Sequence, residues 1–189
     1  LYTWQGSRAD LEPVMLMAHQ DVVSADPSGW THPPFAGVIA DGFVWGRGTL
    51  DIKNQLIGIM EAAEALLQQG YRPERTILFG LGHDEETGGV NGCRGMGQLL
   101  KERGVHLAGI VDEGGGISAG LAAGVRGPVA LIGVSEKGYL TVELSVQGQP
   151  GHSSTPPPQT AIGILARALA RVESHPMPTH LRRLRPLYH

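Results

Sequence analysis

The chain has 189 residues, with 15 basic and 18 acidic side chains, a formal net charge of −3, and 41% hydrophobic against 17% charged residues. This length supports one domain of ordinary size, or one and part of another, around a core that needs no disulfide staples. The balance excludes disorder and a polyanion-binding surface, so nucleic acid is not an expected partner. A lone cysteine, Cys93, excludes an internal disulfide and a cysteine-rich zinc site. The 28 glycines and 13 prolines point to many tight turns and place the chemistry in loops. No stretch approaches the roughly 18 apolar residues of a membrane span, and Leu1-Tyr2-Thr3-Trp4 lacks the features of a signal segment. Any targeting segment would lie outside this sequence, and compartment stays open.

In chain order, Val14 to His19 (VMLMAH) reads as a buried strand whose end delivers His19 and Asp21 to a loop. The Pro-, Gly- and Asp-rich segment from Ser24 to Gly48 reads as an irregular excursion with a small hairpin around Asp41-Gly42. From Asn54 to Gln69, Leu56, Ile59, Met60, Ala63, Leu66 and Leu67 recur at three and four, predicting a helix stopped by Gly70. Thr76 to Leu81 is a second apolar strand, ending in His83-Asp84-Glu85-Glu86. A helix capped by Asn91 runs to Arg103, and a third strand, Leu107 to Val111, ends at Asp112-Glu113. Strands alternating with helices predict an α/β fold with a mostly parallel sheet. From Ser135 the pattern changes: Leu140 to Val146 alternates like a strand with one wet face, and Ile162, Leu165, Leu169 and Val172 stripe a helix from Thr160 to Glu173.

Ligands of such sheets bind beyond the carboxyl ends of the strands. Collected there are His19, Asp21, Asp51, Glu85, Glu86, Asp112 and Glu113, an imidazole among carboxylates. Like charges sharing one cleft are tolerable when some are protonated or when cations sit among them. The imidazole favours Zn²⁺, or Co²⁺ and Mn²⁺, over Ca²⁺. A ligating histidine gives its other N–H to an orienting group, for which Asp21 is the candidate. Adjacent Glu85 and Glu86 can divide the work of base and ligand around an activated water.

Five segments then resemble, in order, the motifs of the M20 metallopeptidases. They are Ala18-His19-Gln20-Asp21-Val22-Val23, Gly46-Arg47-Gly48-Thr49-Leu50-Asp51-Ile52-Lys53, Gly82-His83-Asp84-Glu85-Glu86-Thr87-Gly88-Gly89, Val111-Asp112-Glu113-Gly114-Gly115 and Gly151-His152-Ser153-Ser154. The similarity is nearest to the carboxypeptidase S and N-acyl amino acid hydrolase branch. It implies a partial zinc-exopeptidase-like catalytic domain over residues 1–134 and the start of an α+β, ferredoxin-like lid and dimerisation domain over 135–189. It implies two zinc ions, with His19 binding one, Asp51 bridging both, and Glu86 and Asp112 (alternatively Glu113) as further ligands. Glu85 is the implied general base, Asp21 orients His19, and His152 stabilises the oxyanion. The implied substrates are N-acyl amino acids or short peptides, cleaved at an amide beside a free carboxylate, and the lid allows a homodimer. The family's remaining histidine ligand comes from a motif far downstream of His189, so the chain reads as a fragment.

Other readings compete. A metal-binding or interaction fragment without activity satisfies the same ligand cluster. Gly116-Ile117-Ser118-Ala119-Gly120 matches the nucleophile elbow of a serine hydrolase, and Gly114 to Ala119 matches a dinucleotide fingerprint, though neither has the required strand-to-helix context in the sequence. Asp51 also reads as a helix cap. Arg47 and Lys137 are expected to pair with carboxylates, and Arg182, Arg183 and Arg185 to form a solvated run.

Overall fold

The structure, a computed structural model, describes residues 1–120, 124–134 and 138–178. Its elements are strands β1 (Tyr2–Trp4), β2 (Val14–His19), β3 (Val38–Ala40) and β4 (Phe43–Trp45), helix α1 (Asn54–Gln68), strand β5 (Ile77–Gly82), helix α2 (Cys93–Glu102), strands β6 (Gly109–Val111), β7 (Ile117–Ala119) and β8 (Pro128–Ala130), and helix α3 (Ala161–Ser174). They fall into two compact units, Leu1–Val134 and Ser135–His189.

In the first unit the sheet runs β1-β5-β2-β6. The apolar runs VMLMAH and ILFGLG lie side by side in parallel, as strands covered on both faces do, and β6 pairs in parallel with the other edge of β2. β1 closes the far side as an antiparallel edge. Register sets Met15 beside Leu78, Met17 beside Gly80 and His19 beside Gly82, so these share one face. On that face Met15 and Leu78 meet Met96 and Leu100 of α2, with Met17, Val105 and Leu107 around them. Each fully buried side chain of this size contributes about 1.5–3 kcal/mol. A Cβ on Gly80 would stand 2.1 Å from the Met15 methyl carbon, the end of a flexible side chain that would have to turn aside. On the other face Ile59, Ala63 and Leu66 of α1 look across a groove of about 520 Å³ toward Leu16, Ile77 and Phe79.

Local signals set the boundaries. Gly70 ends α1 with φ 73°, Tyr71 N–H reaching back to the Leu66 carbonyl at 3.0 Å. The hairpin turns through Asp41 (φ 54°) and Gly42 (φ 79°), the paired positive values that a two-residue turn between twisted strands needs. α2 departs from expectation: its cap is Gly92, with no side-chain cap from Asn91. Instead the Asp84 carboxylate accepts from the Asn91 and Gly92 N–H groups. Asp51 does not cap α1 either; Lys53 holds the cap position.

Ser118 lies inside β7, opposite Val129 of β8 in a two-stranded antiparallel ribbon. A nucleophile elbow needs its serine on a sharp strand-to-helix turn, and Ser118 stands in mid-strand, so the serine hydrolase reading is overturned; among the described residues no helix lies between β7 and β8 to complete the dinucleotide fingerprint.

In the second unit the Thr160 hydroxyl accepts from Gly163 N–H at 3.1 Å and starts α3. Leu140 to Val146 is not a strand in this unit. Alternation describes a strand only when another strand supplies its hydrogen bonds, and among the described residues from 138 onward no other strand does. The α+β character expected there is thus represented by α3 alone. Lys137, Arg182, Arg183 and Arg185 lie outside the described residues.

Candidate metal centre

β2, β5 and β6 run parallel, so their carboxyl ends open on one edge of the sheet. His19 is the last residue of β2 and is 3% exposed, the one buried polar residue among those described. Past the strand ends, Gln20 N–H continues the ladder onto the Gly82 carbonyl at 3.0 Å. The His19 ring is held from behind: its Nδ1 lies 3.0 Å from the Asp21 backbone carbonyl, which can only accept, so Nδ1 carries a proton. The Asp21 carboxylate is close as well, with Oδ1 at 3.4 Å from Nδ1.

With Nδ1 protonated, Nε2 of the neutral ring is a bare acceptor. It faces only further acceptors: Asp51 Oδ1 at 3.1 Å, Glu113 Oε1 at 3.6 Å and Glu85 Oε2 at 3.9 Å. A lone pair among carboxylate oxygens is repulsive until a proton or a cation sits between them. The donor atoms of His19, Asp51 and Glu86 lie within 4.8 Å of one another, as do those of His19, Glu85 and Glu113. Nitrogen plus carboxylate oxygen at this spacing suits a divalent ion of the first transition row. The Oδ1 of Asp21 is buried with no hydrogen-bond partner, on the Nδ1 side of the ring and outside both donor groups.

Without an ion, the protonation equilibria of the cluster reflect the same crowding. Burial pushes the His19 ring down, but the Asp21 carbonyl and the charges of Glu113, Glu85 and Asp21 outweigh it and hold its pKa above the ordinary value. Burial and the neighbouring carboxylates push Glu85 up against the opposing pull of His19, and Glu113 behaves alike. Asp21 goes the other way: burial would raise it, yet the N–H groups of Glu86, Glu85 and Asp21 itself, with His19, keep it low.

The turns carrying the carboxylates are tied down. Glu86 N–H donates to Asp21 Oδ2 at 3.0 Å, linking the β5 loop to the β2 loop. Lys53 Nζ donates to the Gln20 carbonyl, and Gln55 Nε2 to the Met17 carbonyl at 2.9 Å, fastening the Asp51 turn to the end of β2. Gly48 starts that turn at φ 85°, where a Cβ would sit 2.3 Å from a Val22 methyl. Asp51 remains the most open member, its side chain 65% exposed.

Of the sequence candidates, His19, Asp21, Asp51, Glu85, Glu86 and Glu113 are brought together. Asp112 joins neither donor group, although its charge reaches Glu113. Both follow the end of β6 at Val111, and of the two it is Glu113 that reaches His19, at 3.6 Å. His152 belongs to the second unit, where its Nδ1 accepts from Ser154 N–H at 3.2 Å and meets the Ser154 hydroxyl at 2.8 Å. Arg47 makes no ion pair among the described residues; its guanidinium lies 5.3 Å over the Trp30 ring. Sequence reasoning left Asp84 as structural and did not single out Lys53; the partners of both are backbone groups that no motif spells out.

The chain is 53% identical to an N-fatty-acyl-amino acid synthase/hydrolase of Danio rerio over 94% of its own length and 35% of the relative's. It is 41% identical to a probable carboxypeptidase S-like protein of Dictyostelium discoideum and 42% identical to carboxypeptidase S of Saccharomyces cerevisiae, covering all of this chain and 37% and 33% of theirs. It therefore spans about a third of the length of these curated relatives. No described helix is long and apolar enough to cross a membrane. The profile of peptidase family M20/M25/M40 matches residues 15–182, spanning both the β2 end and the His152 loop, and the chain belongs to that family.

Proposed function

We propose that this chain carries most of a zinc-dependent hydrolase centre that cleaves an amide bond beside a free carboxylate, in N-acyl amino acids or short peptides. The observation that carries the reading is the bare Nε2 of His19 among carboxylate oxygens at 3.1–3.9 Å, an arrangement that calls for a cation. His19, Asp51 and Glu86 would hold the metal, with Asp51 placed to bridge a second ion and the Asp112-Glu113 pair supplying a further carboxylate. Zinc, when bound, lowers the pKa of water and polarises a carbonyl.

The remaining work falls to side chains of this chain. Glu85, half exposed beside the cluster, takes the proton of the attacking water and hands it to the leaving amine. Asp21 fixes the His19 ring through the Nδ1 contacts and holds Glu86 through its backbone N–H. Because His152 Nδ1 accepts from Ser154 N–H, the neutral ring carries its proton on Nε2, ready to donate to a developing oxyanion. The substrate class rests on the relatives: one is named for making and hydrolysing N-fatty-acyl amino acids and another for carboxypeptidase action, and both reactions concern an amide next to a free carboxylate.

The test uses this chain and a form extended by its native flanking sequence, assayed on N-acyl amino acids and dipeptides with metal content measured in parallel. Glu85→Gln is expected to lower turnover by about 10²–10⁴-fold and to leave bound metal unchanged. Turnover at the wild-type rate would refute the base assignment. Bound metal without turnover in either wild-type form would leave the non-catalytic metal-binding alternative standing, and activity that survives a chelator would refute metal dependence.

A further inference from the structure

Asp84 precedes the Glu85-Glu86 pair, yet its carboxylate takes no part in the donor cluster. It turns instead to the start of α2, where Oδ2 accepts from Asn91 N–H and Oδ1 from Gly92 N–H, each at 2.8 Å. Its backbone carbonyl looks into the intervening loop and accepts from Gly89 N–H at 2.7 Å, Thr87 N–H at 3.2 Å and the Thr87 hydroxyl at 3.1 Å. One residue thus closes both the short turn that carries the glutamates and the wider loop that joins β5 to α2. The path is open only to glycine at three points: Gly88 and Gly89 have φ of 101° and 63°, and a Cβ on Gly92 would stand 2.4 Å from Asp84 Oδ1. The opposite side of the same turn is held by Asp21 Oδ2 on Glu86 N–H.

We propose that Asp84 is a positioning residue for the Glu85-Glu86 pair: by anchoring their turn to the N–H groups of Asn91 and of the α2 cap residue Gly92, it fixes where the base and the adjacent ligand meet His19. Since α2 is packed on the sheet through Met96 and Leu100, the anchor transmits the rigidity of the core to two side chains that are otherwise half exposed. The proposal rests on the reading of Glu85 and Glu86 as base and ligand. Supporting partners of metal ligands generally cost about 10–100-fold in metal affinity or activity when removed.

Asp84→Ala and the isosteric Asp84→Asn are compared with wild type by kcat and KM, by Co²⁺ affinity from its absorption spectrum, and by amide hydrogen exchange of the metal-free protein. Asp84→Ala is expected to lower kcat and Co²⁺ affinity by about 10–100-fold with KM within about twofold, and to expose the amides of Glu86, Asn91 and Gly92 to exchange. Asp84→Asn, which keeps one acceptor oxygen, is expected to fall between, and it serves if the alanine variant does not fold. Unchanged exchange at Glu86 would overturn the positioning role whether or not the protein turns over substrate. Lowered thermal stability with wild-type kcat and Co²⁺ affinity would likewise reduce Asp84 to a structural cap. If wild type neither binds Co²⁺ nor turns over, the functional reading fails, while the Glu86 exchange still decides for or against the anchor.

Discussion

Two amphipathic helices of similar length of stripe meet different fates. α2 sinks Met96 and Leu100 into the face of the sheet, at 8% and 6% exposure, beside Met15 and Leu78. α3 carries an equally regular stripe, yet Ile162, Leu169 and Val172 are 81%, 53% and 64% exposed. Periodicity makes a helix in both cases, but burial needs a surface to receive it, and the first unit supplies a sheet where the described part of the second supplies none. The chemistry follows the same division. His19 can be buried at the end of β2 because β5 pairs with the strand up to that residue, whereas His152 sits on a loop whose ordering comes from Ser154 two residues away.

The comparison breaks most readily in the core of the first unit. Leu78 is 5% exposed on the strand that leads to the Glu85-Glu86 turn. Leu78→Ala is expected to cost about 2–5 kcal/mol, read as a shift of the urea midpoint at constant slope. A loss below about 1 kcal/mol, against the usual range for buried leucine, would show that the Met15, Met96 and Leu100 contacts do not bear the stability assigned to them.

A smaller effect is expected at the start of α3. Thr160 supplies the side-chain cap at the N-terminus of that helix, and Thr160→Ala should remove about 1 kcal/mol of helix stability. Far-ultraviolet circular dichroism over a temperature ramp checks it. No change would mean that α3 is fixed by packing elsewhere rather than by its own cap.

The first unit was legible because its signals are local or nearly so. VMLMAH and the run ending in Gly82 announce strands by continuous apolar character, Asp41-Gly42 announces a turn, and Gly70 a stop. Strand ends then gather His19, Glu85 and Glu86, and the Asp51 turn joins them, while the end of β6 offers Asp112 first and Glu113 as the alternative. What sequence left open depends on orientation at single residues. Asp112 and Glu113 both follow β6 directly, and only the path of the chain beyond Val111 brings Glu113 to 3.6 Å from His19. The anchoring by Asp84 was not legible because capping rules look within a turn of the helix start, and the N–H donors it accepts from lie seven and eight residues away. Leu140 to Val146 misled for the opposite reason: its alternation is genuine, but a strand is a property of a pair.

The smallest expected effect is also the sharpest test of the contrast between the units. Leu169 is 53% exposed, so Leu169→Ala removes little buried surface and replaces leucine by the residue with the best helix propensity. Its cost should stay within about 0.5 kcal/mol, measured by the same urea titration as Leu78→Ala. Should the two variants cost the same, the α3 stripe must be covered in solution, and the exposure that separates α3 from α2 would belong to the isolated chain rather than to the working protein. The two titrations therefore distinguish a helix that lacks a partner from one whose partner is another surface of the assembled molecule.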